Sequence, residues 1–149
     1  MKLVFGKANA KLRELERVLE VKLVTFSLLS GFSCPYAKEC LSQAVENSEG
    51  RRHIEDGKHT EFRCFSASQE VQYTGVYNSR KNNMDILEVA AQSYMEAADI
   101  IESSLPPKST CVRIHVGGDF KTQAYFDAWL EVAKRNPNIL FYAYTKSLP

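Results

Sequence analysis

A chain of 149 residues is long enough for one domain with its own core, and no linker, internal repeat or low-complexity segment divides it. Nineteen basic residues against eighteen acidic ones leave a formal charge of +1, which argues against a bulk nucleic-acid or membrane electrostatic surface. The hydrophobic fraction of 44% is ordinary for a globular protein, and no apolar run reaches the ~20 residues a membrane helix needs.

In chain order, the N-terminal stretch MKLVFGKANAKLRELERVLE carries charge throughout and does not read as a signal peptide. The expected setting is the cytosol, where disulfides are rare, so the four cysteines are metal ligands, catalytic thiols or core residues. Within that stretch Leu12, Leu15 and Leu19 fall at helical spacing behind Asn9, a good N-cap, which predicts a first helix. KLVTFSLL (22–29) predicts a buried strand that ends at Ser30-Gly31. Residues 31–60 are polar and rich in turn formers, and EFRCFSAS (61–68) predicts a short strand leading into a loop. NMDILEVAAQSYMEAADIIESSL (83–105) predicts one long helix with Ile86, Ala90, Tyr94, Ala97 and Ile101 on one face, stopped by Pro106-Pro107. TCVRIHV (110–116) predicts a strand ending at Gly117-Gly118-Asp119. TQAYFDAWLEVAKRN (122–136) predicts a helix facing the core through Tyr125, Trp129 and Val132, and ILFYAYT (139–145) predicts the last strand.

Strands alternating with helices define an α/β class: one domain over residues 1–149 with a small, mostly parallel sheet and flanking helices, open or partial-barrel-like. Functional loops of a parallel sheet collect at the carboxyl ends of its strands. Those ends carry the Cys34–Cys40 loop, Cys64 with Ser66 and Ser68, Gly117-Gly118-Asp119, and Thr145-Lys146-Ser147. Cys111 starts its strand instead. At ~3.3 Å per residue the five steps to Val116 cover roughly 17 Å, so Cys111 belongs at the opposite rim as a small core residue.

Three thiols on one loop face have few good uses. Zinc wants four closed ligands, and Cys34, Cys40 and Cys64 with one of His53, His59 or His115 would supply them. An iron–sulfur cubane held by the same three cysteines leaves one iron open as a Lewis acid. The C-x5-C spacing of Cys34 and Cys40 fits no common zinc knuckle, and spacing alone leaves zinc, iron and unrelated thiols open.

The stretches KLVFGKANAKLRELE, TFSLLSGFSCPYAKECLSQA, DGKHTEFRCFSASQE and VRIHVGGDFKTQAYFDAWLEVAKRNPNILFYAYTKSLP resemble the phage gene-product-eighty-eight family over nearly the whole chain. The motifs that carry the resemblance are C-P-x-A-x-x-C, F-R-C-F-x-A-S, R-I-H-V-x-G-D-F and Y-T-K-S-L. The resemblance implies a phage-encoded iron–sulfur protein in the cytoplasm of an infected bacterium. It implies a [4Fe-4S] cluster on Cys34, Cys40 and Cys64, with Cys111 outside the set.

Two function classes follow. One is a lyase-type enzyme in which the open iron acts on a small, carboxylate-bearing molecule, by dehydration or sulfur removal, with Asp119 and Lys146 as catalytic residues. The other is a non-catalytic regulatory protein, stapled by the cluster or by zinc, that acts on a host protein. His115 is expected to share a strand face with Cys111 and Arg113 in a hydrogen-bonded trio. Arg51, Arg52, His53, Lys58 and His59 form a basic, solvated loop, and the place of Arg63 depends on where the strand around Cys64 ends.

Overall fold

The computed structural model describes residues 1–148. A mixed sheet of four strands runs β1 (Gly6–Lys7), β2 (Leu23–Phe26), β5 (Cys111–Ile114), β6 (Leu140–Ala143) in spatial order. β2, β5 and β6 are parallel, with Leu23 beside Cys111 and Cys111 beside Leu140; β1 is an antiparallel edge. A separate hairpin pairs β3 (Gln43–Glu46) with β4 (Arg52–Glu55). Among the described residues five helices complete the domain: α1 (Ala10–Leu19), α2 (Phe65–Gln72), α3 (Thr74–Ala90), α4 (Tyr94–Ser104) and α5 (Gln123–Arg135). The sheet is open, and among the described residues no barrel closes.

Strand alternation sorts the core into two layers. Val24, Phe26, Val112 and Ile114 pack with Leu87 and Ala90 of α3, Ala97, Ala98 and Ile101 of α4, and Ala128, Trp129 and Val132 of α5. Leu23 and Cys111 form a smaller cluster on the other side with Ala8 and Leu12. Cys111 is fully buried there, at the start of β5, so its placement at the far rim holds. Asn9 caps α1 by accepting from the Leu12 amide at 3.0 Å, and Thr122 caps α5 by accepting from Tyr125 at 3.2 Å.

Three local expectations are corrected. The segment 61–68 contains no strand: Cys64 is the N-cap of α2, and helix begins at Phe65. The long helix expected over 83–105 is two helices that break at residues 91–93. A straight helix of that length would run ~34 Å over strands of four residues, ~13 Å long, so the chain must turn to keep both halves on the sheet. The polar stretch 31–60 holds the β3–β4 hairpin, whose turn is fastened by the Asn47 side chain accepting from the Glu49 and Arg51 amides at 3.0 and 2.9 Å.

Candidate functional site

At their carboxyl ends β2, β5 and β6 release three loops that interlock. Ser33, in the loop after β2, donates its hydroxyl to the Leu29 carbonyl at 2.7 Å and accepts from the Asp119 amide, after β5, at 3.3 Å. Gly118 lies against this contact at φ 83°, and an added Cβ would stand 2.5 Å from Ser33 Oγ and 2.9 Å from the Leu28 side chain. Only glycine combines that backbone with that proximity.

Asp119 joins the third loop. It is buried, and its Oδ1 accepts from the Phe120 amide at 2.8 Å and the Thr145 hydroxyl at 2.5 Å. Its Oδ2 accepts from the Lys146 amide at 2.8 Å. Both carboxylate oxygens are therefore committed to the chain. Asp119 fixes the backbone that carries Lys146, while the helix cap that an acid there might have supplied comes from Thr122.

Lys146 aims its ammonium at the Cys40 sulfur, 3.2 Å away. That contact, with the partial charge of the same thiol, holds the lysine above its usual range; Glu39 and Cys64 push the same way. Cys34, Cys40 and Cys64 are free and half-buried. Burial pushes the Cys34 thiol up to about 11, against the Gly31 backbone and Ser33 hydrogen bonds that lower it, with Asp119 and Cys64 adding to the rise. The structure thus brings Cys34, Cys40, Cys64, Asp119 and Lys146 to one end of the molecule, with Cys111 at the other. Cys64 arrives by a route other than a strand end: its amide donates to the buried Ser42 hydroxyl at 3.2 Å, just before the hairpin.

The histidines are engaged elsewhere. His53 and His59 are exposed beside Glu55 and Glu61 at 3.4 and 3.7 Å. His115 does not join Cys111 and Arg113. β5 ends at Ile114, His115 turns through φ 62°, and the ring crosses to hydrogen-bond the Tyr125 hydroxyl at 2.9 Å. Arg113 instead stacks on Tyr144, 5.6 Å from the ring centre. Arg63 leaves the site for a two-point pair with Asp56, at 2.9 and 2.6 Å, which holds that carboxyl below its usual range. Arg52 is partly buried and bonds the Glu70 carbonyl and the Thr74 hydroxyl, so it is no solvated loop residue.

Beneath the thiols lies an ion pair that the sequence did not announce. Glu70 is fully buried and accepts from the Ser30 amide at 3.1 Å, the Ser30 hydroxyl at 2.9 Å and Arg80 at 2.6 Å. Arg80 also donates to the Ser66 hydroxyl at 2.7 Å. The pair ties the loop bearing Cys34 to the first turn after Cys64. It forms across the kink between α2 and α3, so no periodic spacing marks it.

Among the described residues no three Cys, His, Asp or Glu side chains are closed to metal-holding positions. The donor set nevertheless suits a soft metal: three thiols from two segments, with a lysine cation beside them to offset thiolate charge.

Fold and site together define a small α/β domain that presents three thiols at the carboxyl edge of a mostly parallel sheet. The chain belongs to the phage family described as Gene product 88, whose model matches residues 2–149. No curated protein and no solved structure matches it. Among the described residues no helix is long and apolar enough to cross a membrane.

Proposed function

We propose that the protein holds a [4Fe-4S] cluster on Cys34, Cys40 and Cys64, with one iron left open to a small molecule, and that it works in the cytoplasm of the infected host. The observation that carries this reading is the gathering of three half-buried thiols beside Lys146, with Cys111 withheld at the opposite rim. Thiolates suit iron–sulfur clusters as they suit zinc, and three leave one iron of a cubane without a protein thiolate. When bound, such a cluster supplies a Lewis acid for elimination or sulfur removal. The chain's residues do the rest. Asp119 positions the Lys146 backbone through the 2.8 Å bond to its amide. The Lys146 ammonium offsets the charge of the thiolates and is the group placed to meet a carboxylate on the bound molecule.

A second reading draws on the commitment of both Asp119 oxygens to chain donors, which ties that carboxylate into the backbone rather than leaving it free for proton transfer. In that reading the cluster, or zinc, is a staple in a non-catalytic protein that acts on a host partner.

Purification without oxygen separates the cases. Brown protein that bleaches with dithionite and carries iron and sulfide supports the cluster. A change in the electron paramagnetic resonance of the reduced cluster with added hydroxy acids or thiol amino acids, and release of water, sulfide or ammonia, supports the enzyme. Colourless protein with one zinc supports the staple. Metal-free protein whose Cys34→Ala variant is as stable as the parent sinks both.

A further inference from the structure

A cavity of about 410 Å³ adjoins the thiol loop, on the side formed by Tyr36 and the start of α5. Its walls include three aromatic side chains. Tyr36 and Phe126 are exposed, and Phe126 meets the buried Phe120 edge to face, with ring centres 5.0 Å apart at 88°. No charged side chain lines it among the described residues. The volume falls in the range of small-ligand sites, and the aromatic walls fit a flat ring.

The polar groups on the wall have a readable polarity. Gln123 donates its amide NH2 to the Asp127 carboxylate at 2.8 Å. A carboxylate only accepts, so the amide must turn its nitrogen there, and the carbonyl oxygen of Gln123 is left as an acceptor. Thr122 accepts from the Tyr125 amide at 3.2 Å, so its hydroxyl hydrogen is left to donate. An acceptor next to a donor matches a ring edge that presents an N–H beside an unprotonated ring nitrogen or a carbonyl oxygen.

We infer that this cavity binds an uncharged heteroaromatic ring that presents an N–H donor beside an acceptor, stacked against Phe126 and Tyr36 and read by Gln123 and Thr122. The binding does not rest on the iron reading, since none of the four residues is a thiol. Its closeness to the Cys34–Cys40 loop places the ring's bearer beside the candidate metal site.

Cytidine and 3-methyluridine test it, because the first offers an amino N–H beside a bare ring nitrogen and the second, methylated at that nitrogen, offers acceptors only. Calorimetric titration of the full chain, with its iron content measured separately, is expected to show cytidine saturating one site and 3-methyluridine binding at least tenfold more weakly. Phe126→Ala is expected to weaken cytidine about tenfold, as loss of a stacking face does. Tyr94→Ala, an exposed aromatic on α4, is expected to change nothing. Cytidine that fails to bind at millimolar concentration, equal binding of the two nucleosides, or a Phe126→Ala variant that binds as the parent does would each overturn the inference.

Discussion

Burial of His115 makes its protonation expensive. The ring is buried against Phe120 and bonded to Tyr125, and burial lowers its titration to about 4 although the nearby Asp119 pulls the other way. Between pH 6.5 and about 4 the unfolded chain therefore binds a proton at this residue that the folded chain refuses. Stability from His115 is complete above pH 6.5 and falls as pH drops, by up to about 3 kcal/mol. Urea unfolding at pH 7 and pH 4.5 should show a larger loss in the parent than in His115→Gln; equal losses would show that the histidine does not carry the effect. The cysteines make a second residue-scale prediction. Cys111→Ala should keep the full iron content and cost about 1–2 kcal/mol, the penalty of trimming a small buried group. Cys34→Ala, Cys40→Ala and Cys64→Ala should each lose most of the iron and much of the thermal stability. An empty Cys111→Ala beside a full Cys34→Ala would reverse the assignment.

At the scale of elements, the Glu70–Arg80 pair is the joint on which the site depends. It holds α2 to α3, and through Ser30 it holds both to the loop after β2. Removing one partner leaves the other charged, buried and unpaired, which costs about 3–5 kcal/mol. Glu70→Ala should therefore move the urea midpoint strongly, while Asp85→Ala, which breaks the exposed Lys81–Asp85 pair, should cost under about 1 kcal/mol. A small effect of Glu70→Ala would mean that water or a local shift relieves Arg80. The same elements show what a reader of the sequence misses. Phe62 and Cys64 alternate with Glu61 and Arg63 as a strand would, yet Cys64 is the N-cap of a helix, because packing on the hairpin outweighs a weak local pattern. The hairpin buries only Ala44 of its eight strand residues, so it has no apolar stripe to betray it. The break in the expected long helix did carry a signal: Ser93 stands three residues before Glu96, the spacing of a capping box, and Ser93 is the N-cap of α4, although its hydroxyl makes no cap hydrogen bond.

At the scale of the whole molecule, the parallel strands were legible because β2 and β5 each bury three of their four residues, so that LVTF and CVRI read as short, mostly apolar runs. Their direction then placed Cys34, Asp119 and Lys146 at one end without further information. Cys64 reached that end through tertiary contacts that no spacing records, and the two-residue β1 edge was too short to leave a pattern. The site therefore joins segments distant in the chain, which leads to a prediction about the fold as a whole. A metal held by thiols from residues 34–40 and by Cys64 crosslinks the loop after β2 to the start of α2, and it binds only when both are in place. Zinc is the simplest probe of that linkage. At a free concentration 100 times its dissociation constant it should stabilise the folded chain by about 2.7 kcal/mol, a rise in Tm of roughly 5–10 °C for a domain of this size. Calorimetry should find the rise in the parent and in Cys111→Ala and lose it in Cys64→Ser. A rise that survives in Cys64→Ser would mean that the metal is held within the Cys34–Cys40 loop or elsewhere, and that α2 is no part of the site.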